Sequence, residues 1–270
     1  MPELQTRFMQ SDTSRAFSAS VWKNCPLDAI RDGSRSGIIE QDDFDSITPT
    51  ATKYKLSGTS ATITLVGTTP GGEVGLACTN SANGEAYLAN GIAVGSWGMI
   101  ISQSVDELWW EARVKVDDIT NGVFACGLAK PADIAAAMLA DTTLVFATTV
   151  SALGFRTLVG TPSTLGIFYM DDAAASVYVA SAATLVAGTY VKLGIRFGGK
   201  ADGNLIRFYV NGVEKANTAG TMGVLATATN FPDSIGLTDF FACKTNASAA
   251  LTMTIDRYRG AMTIDDTTYG

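Results

Sequence analysis

Apolar and polar residues alternate along residues 109–116, with Trp110, Ala112, Val114 and Val116 in one parity and Trp109, Glu111, Arg113 and Lys115 in the other. Successive side chains of an extended strand point to opposite faces, so this run predicts a strand with one face in a core and the other polar. Val191, Leu193, Ile195 and Phe197 alternate in the same way with Lys192, Gly194 and Arg196, as do Ile206, Phe208 and Val210 with Arg207, Tyr209 and Asn211. A one-residue slip would bury the charges, which fixes the register. Asn211-Gly212 then separates the last run from Val213-Glu214-Lys215. A type I′ turn needs positive φ at both central positions, so a two-residue hairpin is expected there.

From Asp42 onward, further short β-type segments fall between Gly, Asn, Asp and Pro punctuation, at residues 62–66, 73–78, 86–88, 99–102, 123–128, 144–150, 166–170, 177–179 and 251–258. Their spacing predicts an all-β fold, two antiparallel sheets packed as a sandwich. Residues 131–139 form the one helical candidate, because Pro131 suits a first turn and Ala135–Ala137 favour helix. It is too short to stand alone and is expected to cap the sandwich or a loop. Residues 1–40 show neither periodicity, yet they carry Phe8, Phe17, Trp22, Leu27 and Ile30 together with Arg7, Arg15, Lys23, Arg31 and Arg35. A solvated tail does not usually hold such anchors. This segment is therefore expected to be an extended arm, docked either on a neighbouring subunit or back over its own sandwich, with the sandwich domain spanning 41–270.

Composition sharpens this picture. Charged residues make up only 17% of the 270 and hydrophobic ones 47%, which suits many short strands. A chain of this length can bury roughly 70–75% of its unfolded surface, so one core suffices without metals or disulfides. The net charge of −7 and the lack of a basic run argue against nucleic-acid binding by the body. No run approaches the apolar length of a membrane span, and the first twenty residues are too polar for a secretory leader, so a soluble protein made in a cytoplasm is expected. Cys25, Cys78, Cys126 and Cys243 lie far apart and are expected to be reduced thiols, the last three inside apolar runs.

The absence of histidine removes the Ser-His and Cys-His nucleophile pairs, most zinc sites and the commonest neutral general base. A glycosidase needs only two carboxylates, and Asp106, Glu107 and Glu111 come nearest to such a pair. They do not form a same-face array on one strand, so no catalytic residue is expected. Asp42-Asp43-Asp45, Asp171-Asp172 and Asp265-Asp266 lack the spacing of a dedicated calcium loop and are read as turn acids, with no metal or cofactor expected. Lys115, Lys192, Arg196 and Arg207 against Glu111 and Asp256 are read as charge pairs across a sheet face, each contributing little. Trp97, Trp109 and Trp110 bring sugar stacking into view, since indole faces are good platforms. Trp110 is expected in the core, and Trp109, pointing away from it, is the exposed glycan-binding candidate unless an arm, loop or neighbour covers it.

Taken in order, Trp22-Lys-Asn-Cys-Pro26, Ser36-Gly37, Asp42-Asp43-Phe44, the 110–116 strand, Gly127-Leu128-Ala129, Gly154-Phe155-Arg156, the 190–197 strand and Phe208-Tyr209-Val210-Asn211-Gly212 carry a resemblance. The body resembles concanavalin A-like/laminin-G jelly-roll sandwiches, and the whole chain resembles structural proteins of tailed bacteriophages. That resemblance implies a non-enzymatic virion component, a capsid decoration or cement protein assembled in the host cytoplasm. It would bind the major capsid protein on the outer shell, commonly as a homo-dimer or homo-trimer. It implies neither nucleic-acid nor membrane partners, and its alternative is a glycan-binding module of a tail fibre or adhesin. The recognisable calcium and sugar loops of lectin relatives are missing.

Overall fold

The structure is a computed structural model. It describes residues 15–44, 53–59, 61–66, 72–79, 81, 83–90, 98–101, 107–140, 146–172, 176–199, 202–215, 224–225, 230–233, 235–245 and 249–264. After a short helix α1 (Leu27–Arg31), the strands are β1 (Gly37–Asp42), β2 (Tyr54–Ser57), β3 (Thr62–Val66), β4 (Glu73–Cys78), β5 (Glu85–Asn90), β6 (Met99–Ile100), β7 (Leu108–Val116) and β8 (Gly122–Ala129). A single 3-10 turn (Pro131–Asp133) precedes β9 (Ala152–Leu158), β10 (Thr161–Met170), β11 (Val177–Thr184), β12 (Val191–Phe197), β13 (Leu205–Val210), β14 (Val213–Lys215), β15 (Val224–Leu225), β16 (Gly236–Thr245) and β17 (Leu251–Thr263). Sheet A runs β14-β13-β12-β7-β17-β4-β3, with β1 added to β17 and β15 to β13; sheet B runs β11-β10-β9-β8-β16-β5-β2, with β6 added to β16.

The alternation read along β7 and β12 is realised between these sheets. Trp110, Ala112, Val114 and Val116 from β7 meet Phe124, Cys126 and Leu128 from β8, Phe155 from β9 and Phe241 from β16 in one buried cluster. Burying side chains of this size is the main favourable term in folding, and each contributes about 1.5–3 kcal/mol. The expected hairpin is present: Asn211 and Gly212 take φ of 50° and 76°, and Val210 pairs with Val213. At the centre of sheet B, Gly127 faces Gly154 across the β8–β9 ladder. Both sit at φ 152°, and a Cβ on either would lie 2.2 Å from the opposite strand's carbonyl oxygen. Only glycine lets the two backbones approach this closely.

Three sequence-based expectations change. Residues 37–40, assigned to the arm, belong to the sandwich, because β1 pairs with the C-terminal half of β17 and Ile38 packs on the main cluster. The helix expected at 131–139 is only the 3-10 turn. Ala137 takes φ 66°, its N–H is drawn to Glu85 Oε1 at 2.9 Å, and the Leu139 N–H goes to the Tyr87 hydroxyl at 3.1 Å. Side chains from β5 thus capture donors that a helix would need for its own ladder. The strand expected at 144–150 is reduced, among described residues, to a lone bridge between Leu139 and Phe146.

Candidate functional site

The outer face of sheet A is where the candidate chemistry gathers. Cross-strand register lines Trp109, Arg196 and Arg207 up in one row, and Glu111, Gly194, Tyr209 and Glu214 in the next. The described part of the N-terminal arm lies over this face. Ser18 donates its backbone N–H to both Glu111 oxygens at 3.1 and 3.0 Å, and its hydroxyl adds a third bond at 3.1 Å. Lys192 Nζ donates to the Ala16 carbonyl at 3.1 Å, and Trp109 Nε1 donates to the Lys23 carbonyl at 3.2 Å. Val21 is buried against Gly194, where a Cβ would lie 2.6 Å from Val21 Cγ2.

Trp109 is therefore not an exposed sugar platform. It is fully buried, because the arm covers its outward face and satisfies its indole N–H. Of the arm anchors, Phe17 and Trp22 pack edge to face at 5.6 Å, Ile30 lies over Gly37, and Phe17, Trp22, Leu27 and Ile30 are all half-buried against their own chain. The open alternative between a neighbour and the same sandwich resolves to the sandwich for residues 15–31; Phe8 lies outside the described residues. The charge pairs expected across this face take other partners: Lys115 Nζ meets Glu73 Oε2 at 3.3 Å, Arg207 meets Asp202, and Glu111 is bound by Ser18. The Asp256 side chain is 0% exposed and is held by Arg15, and by Arg113 Nη1 at 2.8 Å. Arg113 and Lys115 stack on Tyr190 with cation-to-centroid distances of 3.7 and 4.5 Å.

Glu111 has no free edge for catalysis, since Ser18 engages both oxygens. Burial raises its pKa while the Ser18 bonds act to lower it. Asp106, Trp97, Asp45 and Asp265-Asp266 lie outside the described residues. Asp42 is engaged by Lys53 and the Tyr54 hydroxyl, and Asp171 accepts from Ser151 Oγ at 2.8 Å. Among the described residues no group of three or more His, Cys, Asp or Glu is placed to hold a metal. The four cysteines are free thiols, and burial pushes the half-buried Cys25 up to about 12.

Where the arm ends, a polar cleft of about 580 Å³ opens between residues 20–24, the ends of β12 and β13, and β14. Lys23, Arg196 and Arg207 balance Glu107, Asp202 and Glu214 on its walls. Arg207 is held by Asp202 and stands 3.3 Å from Glu214 Oε1, an ion-pair distance without hydrogen-bond alignment. Glu214 Oε1 and Arg196 Nε are buried and have no hydrogen-bond partner among the described residues. Guanidinium and carboxylate groups on the walls of one cleft supply the donors and acceptors that a polyhydroxylated ligand requires.

The outer face of sheet B is covered by described residues. Ile134, Met138, Leu139, Phe146 and Val150 roof it, forming a second cluster with Tyr87, Ala125, Phe168, Phe240 and Ala242. Beneath this roof Lys244 Nζ reaches Glu85 Oε2 at 2.8 Å and the Leu139 carbonyl at 2.6 Å, and Tyr87 donates to the same carboxylate at 2.8 Å. Neither the cleft nor this network was singled out by sequence reasoning. The alternation of Arg196 and Arg207 did mark the cleft's sheet face, but the arm that shapes its wall carries no period.

The arm's seat can be tested through Gly194. Replacing Gly194 by valine is expected to lift Val21 off sheet A, costing about 1–3 kcal/mol. Limited proteolysis should then cleave within residues 15–36, and tryptophan emission should shift red as Trp109 meets water. Unchanged proteolysis and emission would contradict the packing described.

No protein-family model matches this chain, and no curated protein matches it. Solved structures do share its fold. Peanut lectin superposes with a TM-score of 0.56 at 13% identity, covering 84% of this chain and 98% of the lectin. Winged bean acidic lectin, solved with methyl-α-D-galactose, gives 0.52 at 11%, covering 86% and 100%. An endo-1,3-β-glucanase from Streptomyces sioyaensis gives 0.52 at 11%, covering 84% and 96%. The chain thus has the concanavalin A-like jelly-roll fold that its sequence suggested, and identities this low speak to fold alone.

Proposed function

We propose that this chain is a non-catalytic carbohydrate-binding module whose sugar site is the cleft between residues 20–24 and the β13–β14 hairpin. The observation that carries this reading is a near-neutral cleft of about 580 Å³ on which Lys23, Arg196 and Arg207 face Glu107, Asp202 and Glu214, with Arg196 Nε and Glu214 Oε1 buried at its wall and without a hydrogen-bond partner among the described residues. Each sugar hydroxyl both donates and accepts, so adjacent hydroxyls can bridge a guanidinium and a carboxylate that a purely apolar or singly charged ligand would leave unmet. The volume falls within the range of small-ligand sites. Support also comes from the fold, which peanut lectin, winged bean acidic lectin and the glucanase share with it. Without an exposed indole in the described cleft, hydrogen bonds supply most of the affinity, and a dissociation constant on the order of 1 mM for a single sugar unit is expected.

The test is a glycan array followed by titration calorimetry on hits. Arg196→Gln and Glu214→Gln should each weaken binding about tenfold or more, since hydrogen bonds to charged groups contribute about 1.5–3 kcal/mol. If no glycan binds at millimolar concentration, or both variants bind as the parent does, the reading fails. The capsid-decoration reading, with the major capsid protein and further copies of this chain as partners, ranks second. It rests on the sequence resemblance, and the anchors Phe17, Trp22, Leu27 and Ile30, which would have gripped a neighbour, are engaged on their own sandwich. Co-sedimentation with empty shells tests it directly.

A further inference from the structure

A second opening on sheet A, distinct from the sugar cleft, lies between the end of β1 and β17. It is a recess of about 210 Å³ bordered by Phe17, Gln41, Asp42, Asp43, Arg257 and Arg259. We propose that this recess binds an oxyanion, a carboxylate or a sulfate, through Arg257, Arg259 and Gln41.

Three observations lead there. First, Arg257 and Arg259 sit two residues apart on one face of β17, their guanidinium carbons 4.2 and 4.0 Å from the Phe17 ring centroid. Phe17 therefore holds two like charges at one ring; Asp256 and Glu111 offset part of the Arg257 charge, and a bound anion would offset more. Second, Arg257 Nε and Nη2 are buried and have no hydrogen-bond partner among the described residues. These two atoms form the side edge of the guanidinium, which matches the paired oxygens of a carboxylate or sulfate. Third, Gln41 Oε1 accepts from Arg259 Nε at 3.0 Å and from Arg31 Nη2 at 3.2 Å. With its oxygen so used, the Gln41 amide has only its NH₂ left to offer, a further donor at the recess.

The local field agrees. Burial, followed by repulsion from Arg31 and Arg257, pushes Arg259 down to about 10, and burial lowers Arg257 as well. At the rim, Asp42 is paired with Lys53 and hydrogen-bonded by the Tyr54 hydroxyl.

This inference does not depend on the sugar cleft. Calorimetric titration of the full chain with sodium sulfate, sodium glucuronate, sodium chloride and glucose, at matched ionic strength, separates the sources. Saturable binding of sulfate and glucuronate, but not of chloride or glucose, is the expected result. Glucuronate binding much tighter than sulfate assigns the site to an acidic sugar, and comparable binding assigns it to a simple oxyanion. Arg257→Gln should weaken binding at least tenfold, and the anion selectivity of the parent chain keeps the test decisive if that variant folds poorly. Glu214→Gln, in the other cleft, should leave it unchanged. Absence of saturable binding by both anions overturns the proposal. So does binding that a folded Arg257→Gln variant leaves unaltered, or that Glu214→Gln abolishes.

Discussion

Replacing Lys244 by methionine is expected to lower the unfolding free energy by about 3–5 kcal/mol, the usual consequence of removing one partner of a buried ion pair. The Lys244 and Glu85 side chains are 0% and 4% exposed. Without the ammonium, the Glu85 carboxylate would remain buried, and among the described residues it would keep the Tyr87 hydroxyl and the Ala137 N–H as donors. The roof segment would also lose its anchor at the Leu139 carbonyl. Adding Glu85→Gln to Lys244→Met should recover much of the loss, because a neutral amide no longer demands a counter-charge. Urea unfolding of the single and double variants measures both effects. A single variant within about 1 kcal/mol of the parent would show that the pair is not what holds the roof down.

Stability should also fall as pH rises from about 4, and Asp239→Asn should flatten that slope. Asp239 sits on β16 with its carboxyl inside the core, where Trp110 Nε1 donates to Oδ1. Its Oδ2 has no aligned partner among the described residues, and the Glu40 carboxyl from β1 stands close to it. Burial first, and Glu40 second, raise the Asp239 pKa well above the usual carboxylate range; burial raises Glu40 as well. The folded pair thus holds a proton that the unfolded chain, titrating near about 4, has already released. Where the native state binds more protons than the unfolded one, stability drops with rising pH, until the folded pair has itself titrated. The asparagine variant keeps an oxygen for Trp110 and presents an amide to Glu40, so it should gain on the parent across that window. Denaturant midpoints from pH 4 to 8 decide the matter, and parallel curves for the two proteins would refute it.

Much of sheet A was legible because one of its faces is apolar and the other polar, which leaves a period of two in β7, β12 and β13. Sheet B was read unevenly: the runs at 86–88, 123–128, 166–170 and 177–179 fall on its strands, but β16, buried on both faces under the main cluster on one side and the roof on the other, was missed. A strand enclosed twice loses the polar alternation that reveals it. Residues 236–245 were not picked out as a strand because Asp239 and Lys244, charged in sequence, are both buried inside. Residues 152–158 failed in the same way: Gly154 serves the close approach of β8 and β9, and Arg156 is buried among Phe146, Phe168 and Tyr178.

The sites were less legible than the fold. Trp109 pointed away from the core as its parity demanded, but parity cannot tell solvent from a covering segment. The arm that covers it is held by backbone groups, the Ser18 N–H and the Lys23 and Ala16 carbonyls, which any sequence possesses. Arg257 and Arg259 were equally visible as charges. What distinguishes them is Phe17, some 240 residues earlier in the chain, and no local pattern connects the two.

The order of the strands also governs when this protein can acquire its shape. The partners of β7 in sheet A are β12 and β17, and those of β8 in sheet B are β9 and β16. A nascent chain leaving the ribosome therefore carries two half-built layers until residues 236–263 emerge, with Trp110 and Phe124 lacking their final cover. Pairing across such sequence distances is slow, and the apolar surface waiting for it invites capture by chaperones or by other unfinished chains.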